Sequence, residues 1–292
     1  MNTVLVTGAQ GMLGRAVATA LHRAGHRTVL LGRNELDITS SEAVASVLAC
    51  HRPRTVVNCA AYTAVDDAEE DEIAAWRINT LGPRHLAEAV ARVRPTQTPA
   101  RLIHISTDYV FDGEASRPYA ENARTRPRTA YGRTKLGGER AVLVILPTTG
   151  TILRTAWLYG AYGHHFPATM ARLAKEPGRE VHVVADQYGQ PTWTGDVAAR
   201  AAELVVRPCP GLLHATNSGE ATWFDLAREV FDRLGADPAR LHPARTADVP
   251  RAARRPHRST LGHERWSTAG LPPMRHWLEA LDDAWPTLGL SN

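Results

Sequence analysis

A doubly wound, parallel α/β sheet with a smaller α/β lobe behind it is the fold class this chain predicts. Short β-branched or apolar runs alternate with helical periodicity through the first half. A glycine-rich turn, Gly8-Ala9-Gln10-Gly11-Met12-Leu13-Gly14, joins the first run to the first helical pattern. The second half loses the alternation and turns rich in proline and arginine, most densely over 238–256.

The elements follow in order. Apolar runs at 4–7, 28–31, 55–58, 102–106 and 151–154 read as strands buried on both faces, as a parallel sheet requires. Helical patterns at 12–24, 41–50, 73–93 and 129–146 lie between them, which implies right-handed crossovers. Beyond residue 155 the spacing predicts a helix over 166–174, a strand over 181–184 and a helix over 195–206. A strand over 212–215 follows, then a helix over 223–234 with Thr222 as its N-cap. The stretch 238–256 reads as loop, and an amphipathic helix over 274–285 closes the chain. No internal repeat or low-complexity tract interrupts this order. We therefore expect a nucleotide-binding core over 1–155, with about 181–215 returning to it, and a substrate lobe over 156–292.

Composition narrows the class. In 292 residues, 43% hydrophobic and 22% charged is ordinary for a globular protein. No apolar run nears the roughly 20 residues of a membrane span. The segment Met1-Asn2-Thr3-Val4 opens on a strand without signal-peptide character, so a cytoplasmic location is expected. Cys50, Cys59 and Cys209 form no CxxC pair and read as reduced thiols. Arg251, Arg254, Arg255 and Arg258 contribute to a net charge of +4. Without interleaved aromatics they suit an anionic small molecule or a solvated surface rather than nucleic acid. The 13 histidines show no metal-ligand spacing, His164-His165 reads as a loop pair, and no metal is expected.

The glycine turn sits where strand gives way to helix. Glycines there let the main chain approach a pyrophosphate, and the helix N-terminus offers N–H groups and a positive dipole end. This makes Gly8, Gln10, Gly11, Met12 and Leu13 candidates for binding a dinucleotide in a Rossmann sheet. At the end of the second strand an acid would favour NAD, but Leu31-Gly32-Arg33 places an arginine suited to a 2′-phosphate. NADPH is the expected cofactor, with NADH as the alternative.

Farther on, Tyr131 and Lys135 lie four residues apart, one helical turn, so a helix would present both on one face. A cation beside a phenol lowers its pKa and allows proton exchange with a carbonyl or alcohol. Ser106-Thr107 ends the fourth strand, which puts hydroxyls at the same sheet edge.

With these residues in order, the chain resembles the dTDP-4-dehydrorhamnose reductase family of extended short-chain dehydrogenases/reductases. The resemblance runs essentially full length. It rests on the run from Val56 to Asp66, Ile78-Asn79, the block Ser106-Thr107-Asp108-Tyr109-Val110-Phe111-Asp112-Gly113, the Tyr131/Lys135 pair, the run from Leu153 to Gly160, and Asp186 to Thr192. The Ser106-to-Gly113 block is the most specific of these. The resemblance implies that Thr107, Tyr131 and Lys135 reduce the C4 keto group of a dTDP-4-keto-6-deoxyhexose, dTDP-4-dehydro-L-rhamnose first among them. Tyr131 would be the acid, Thr107 a donor to the developing oxyanion, and Lys135 a holder of the nicotinamide ribose.

It further assigns Asp37, Ile38, Cys59, Ala60, Ala61, Tyr62, Asn79 and Ser106 to the cofactor along with Arg33. Thr63, Val65, Asp108, Tyr109, Trp157, Gln187 and Arg255 are assigned to the sugar nucleotide, Trp157 by stacking. Cys59 stands where the family often has alanine and reads as a packing substitute. Some members bind magnesium at a dimer interface, but no matching carboxylate pair is evident, so a homodimer stays open and Asp196 reads as a helix-start residue. A related 4-ketoreductase of another deoxysugar would share every motif. A regulatory NADP-binding subunit is the rival from another class, and the intact trio speaks against it.

Overall fold

The computed structural model describes residues 3–93 and 99–290; Met1 and Asn2 lie outside them. Its centre is a parallel sheet of six strands. In chain order five of them are β1 (Thr3–Thr7), β2 (Arg27–Leu31), β3 (Thr55–Asn58), β4 (Arg101–Thr107) and β5 (Gly150–Thr155). The sixth is Gly211–His214, and the spatial order is Gly211–His214, β5, β4, β3, β1, β2. The winding reverses between β1 and β3, so their carboxyl ends open a crevice where ligands bind in such sheets. β1, β3, β4 and β5 are buried nearly throughout, which explains why their sequences are apolar without alternation.

Helices cover both faces. Met12–Arg23 packs on the later helix Thr194–Val206 around Val17, Leu21, Val197 and Ala201. On the other face, Leu48, Leu86 and Val142 bring Ser41–His51, Gly82–Arg92 and Ala130–Ile145 onto the sheet. The helix expected over 73–93 is Glu72–Trp76 and Gly82–Arg92 joined by a π-helical turn, Arg77–Leu81. Apolar periodicity runs through that turn, so sequence alone gives no sign of it.

The lobe has its own apolar core, with Met170, Val181, Phe231, Leu241 and Leu281 among its members. Three expectations are corrected here. The strand Val181–Val184 pairs with Leu241–Ala244 rather than returning to the central sheet, which Gly211–His214 does join. The stretch 238–256 therefore holds a strand. Pro243 lies within it, and an unpaired edge tolerates a residue that cannot donate. The closing helix runs Trp277–Leu288, a turn later than its pattern predicts.

Candidate active site

One cleft of about 1290 Å³ runs from the glycine turn, across the carboxyl ends of β3, β4 and β5, to the lobe. Drug-sized pockets run to about 1,000 Å³. This volume suits two ligands end to end better than one.

Its cofactor side begins at the glycine turn. Gly8 has φ +64°, and a Cβ there would lie 2.6 Å from the Ala60 backbone nitrogen, so only glycine lets β1 turn against the end of β3. The N-cap Gly11 makes no side-chain cap and the first turn of Met12–Arg23 carries no acid, an arrangement that favours an anion. Asn58 shapes the neighbouring strand end. Its Oδ1 accepts from the Thr7 hydroxyl at 2.6 Å and the Ala60 N–H at 3.1 Å. Gly8, Gln10, Gly11, Met12 and Leu13 all line the cleft, as do Arg33, Asp37 and Ile38. Asp37 accepts from the Thr39 N–H at 2.9 Å and its hydroxyl at 2.8 Å, which holds the carboxyl below its usual range. Cys59, Ala60 and Ala61 also line it. Burial pushes the Cys59 thiol up to about 12, so it stays protonated and unreactive at neutral pH.

Tyr62 and Asn79, both expected at the cofactor, are not among the cleft's lining residues. The π turn aims the buried Asn79 amide at the loop after β3. Its Oδ1 accepts from the Tyr62 N–H at 2.9 Å and its Nδ2 donates to the Tyr62 carbonyl at 3.0 Å. Asn79 thus holds the wall from behind.

The catalytic candidates meet at the end of β4. Thr129 caps Ala130–Ile145 by accepting from the Gly132 N–H at 3.0 Å. A Cβ on Gly132 would fall 2.2 Å from the Tyr109 carbonyl oxygen, so this glycine seats the helix against the end of β4. Tyr131 then meets Tyr109 edge to face at 5.6 Å and lines the cleft beside Thr107 and Lys135. Lys135 Nζ donates to the Ile105 carbonyl at 2.6 Å.

The electrostatics differ from the expectation of a phenol made acidic by its lysine. Burial raises Tyr131 to about 12, opposed by the Thr107 hydroxyl and assisted by the Asp108 carboxylate. The phenol therefore enters the cleft protonated. Burial also lowers Lys135, to about 8, although Glu139 favours its charge. Asp108 is raised to about 6 by burial while its Oδ1 accepts from the Thr107 hydroxyl at 3.0 Å.

Behind the trio lies a buried network missed in the sequence. Arg154 on β5 grips Glu139 with two bonds of 2.8 and 2.7 Å, and Ser106 Oγ donates to the same carboxylate at 2.6 Å. Ser106 lines the cleft, but its hydroxyl serves this network, which pins the helix to β4 and β5.

On the lobe side, Thr63, Val65, Asp108, Tyr109, Trp157, Gln187 and Arg255 all line the cleft. Phe111, within the Ser106-to-Gly113 block, stacks on Tyr119 in a separate small core. Trp157 stacks on Trp223 with centroids 3.5 Å apart, so that face of the indole is closed to a sugar. Arg255 donates to Asp66 at 2.6 Å, and Arg258 donates to Glu220 at 2.7 Å. Arg254 pairs with Glu114. The basic cluster is therefore largely a set of straps, with Arg251 and Arg255 facing the cleft. Phe166, Met170, Val183 and Trp223 also line the cleft and were not anticipated. Trp223 follows the Thr222/Asp225 capping box, the one sequence signal that fixes its place at a helix start. Asp196 opens Thr194–Val206 as expected and also accepts from Arg275 at 2.9 Å. His165 caps Phe166–Ala174, its Nδ1 accepting from the Ala168 N–H at 3.2 Å, while His164 lines the cleft.

Comparison with known proteins supplies the family. The profile of the RmlD substrate binding domain matches residues 1–288. The chain belongs to the dTDP-4-dehydrorhamnose reductase family. A dTDP-4-dehydrorhamnose reductase of Streptomyces griseus is 52% identical, covering 97% of this chain and 93% of its own. A probable dTDP-4,6-dihydroxy-2-methyloxan-3-one 4-ketoreductase of Streptomyces antibioticus is 53% identical, covering 97% and 95%. Among solved structures, the family member from Bacillus anthracis in complex with NADP superposes with a TM-score of 0.92 at 35% identity, covering 98% of this chain and 99% of that one. No helix among the described residues is long and apolar enough to cross a membrane.

Proposed function

We propose that this protein reduces the C4 keto group of a dTDP-4-keto-6-deoxyhexose with NADPH. The observation that carries the reading is the meeting of Thr107, Tyr131 and Lys135 in the cleft that begins at the glycine turn. The residues there fit a dinucleotide, because no Cβ is tolerated at Gly8 and the adjoining helix N-terminus is open to a pyrophosphate. When bound, a reduced nicotinamide supplies the hydride. Arg33 faces the adenosine end and suits a 2′-phosphate.

Tyr131, held protonated by burial, gives its proton to the oxygen that gains charge at C4. The Thr107 hydroxyl, which donates to Asp108 in this structure, turns its one proton to the same oxygen when the sugar is bound. Lys135 lies in the same cleft, anchored by the Ile105 carbonyl, and its ammonium holds the cofactor ribose. Gln187 and the arginines at 251 and 255 receive the sugar nucleotide.

4-Dehydro-L-rhamnose is the first sugar to test. The relative named for an antibiotic-type 4-ketoreductase, at 53% identity, supports a second reading with a different deoxysugar. Incubation with NADPH and a panel of dTDP-4-ketohexoses, with the products resolved by NMR, decides between them. Tyr131→Phe should lower kcat by roughly 10²–10⁴ while NADPH binding stays measurable. Near-normal turnover in that variant would remove Tyr131 from the mechanism.

A further inference from the structure

Trp157 carries the chain out of the core, two residues past the point where β5 ends at Thr155 in register with Thr107. Its φ is +45°, and the other non-glycine residue with positive φ among the described residues is the helix C-cap Arg52. A left-handed backbone is unfavourable for a bulky side chain and persists where its surroundings enforce it. Three contacts do so here. The Trp223 ring lies 3.5 Å from the Trp157 ring at 8°, with Phe166 packed on Trp223 at 4.7 Å. Gly189 makes room beside the indole, since a Cβ there would lie 2.3 Å from a ring carbon. The Trp157 carbonyl accepts from the Thr192 N–H at 3.1 Å. Two of these parts form one unit, because Ala221-Thr222 pairs antiparallel with Tyr188-Gly189 immediately before Trp223.

We propose that Trp223 is a positioning residue for the reduction: with Gly189 it clamps Trp157 in its left-handed turn and so holds the sugar-side wall in register with Thr107 and Tyr131. The ring contact joins the start of a capped lobe helix to the exit of a core strand, and Trp157, Trp223 and Phe166 all face the cleft. Without the clamp, the residue at 157 relaxes toward an ordinary backbone. A displacement near 1 Å at a reacting carbonyl is costly in rate. The cofactor site shares none of these contacts.

The proposal rests on the ketoreductase reading, so wild-type turnover with a dTDP-4-ketohexose is measured first; its absence overturns that reading and this one with it. Two readouts then need no sugar: the exciton couplet of stacked indoles in the far-UV circular dichroism, and the NADPH dissociation constant. Trp223→Leu should abolish the couplet and lower kcat/KM for the sugar by about tenfold or more, with NADPH affinity held within about twofold. Trp223→Phe should recover kcat/KM to within about threefold, because a ring can still stack. Gly189→Ala should reproduce the loss with Trp223 intact. The clamp is overturned if the wild type shows no couplet, or if Trp223→Leu loses the couplet but keeps kcat/KM. It is equally overturned if NADPH affinity falls in step with turnover, or if Phe does not rescue.

Discussion

Around the glycine turn the cleft closes on Gly8 packed against the Ala60 main chain, whereas on the lobe side it is walled by aromatic rings and paired charges. The first wall is set by main-chain fit, since no Cβ is tolerated at Gly8 against Ala60, and by which N–H groups the adjoining helix leaves open. The second depends on partners brought together from distant segments, such as Arg255 with Asp66. A wall fixed by main-chain fit is rigid toward a ligand common to many enzymes. A wall of side chains can be rebuilt one residue at a time, which suits a family whose relatives carry different sugar names at nearly equal identity.

The sharpest way to break this contrast is at the network behind both walls. Arg154→Met leaves the Glu139 carboxylate buried without its guanidinium and held only by the Ser106 hydroxyl, with both side chains only 2–3% exposed in the native pair. Removing one partner of such a pair costs about 3–5 kcal/mol, so thermal unfolding should move down by many degrees. An unshifted midpoint would mean that the pair contributes nothing to coupling β5 and its helix. Gly8→Ala tests the main-chain wall alone. A methyl group driven into the Ala60 backbone should weaken NADPH binding by roughly 100-fold, while the Trp157–Trp223 stack survives. Equal losses of both would erase the division between the walls.

A smaller effect separates the two titrating members of the trio. Lys135 is lowered to about 8 and Tyr131 raised to about 12, so only the lysine changes charge near pH 8. Below that pH the ammonium is present to meet the cofactor, and above it binding must take up a proton. NADPH affinity should therefore decline above pH 8 by up to about tenfold per pH unit, in an isothermal titration series. A flat profile from pH 7 to 10 would show that the ammonium does not meet the cofactor. The smallest effect lies at Arg33. Arg33→Ala should narrow the preference for NADPH over NADH by about tenfold, and an unchanged ratio excludes it from 2′-phosphate recognition.

The legibility of the sequence divides along the same line. The glycine turn, the strand ends and the Tyr131/Lys135 spacing are local patterns, and the structure brings them to one edge of the sheet. The Glu139–Arg154 pair lies 15 residues apart on different elements, with no pattern linking its members. The lobe strand Leu241–Ala244 hides behind a proline that reads as loop. The direction of the Tyr131 shift is equally hidden, because it depends on burial, which a four-residue spacing does not report.

The π turn at Arg77–Leu81 constrains how this scaffold can be altered. A wider turn in an otherwise regular helix is equivalent to one inserted residue, which rotates the helix before it by about 100° relative to the helix after it. Deleting a single residue between 77 and 81 would restore an ordinary helix yet spin Ile73 and Trp76 to a different side. It would also carry Asn79 away from the Tyr62 loop that it ties from behind. Grafts and chimeras that splice this helix should conserve its residue count, not merely its length in ångströms.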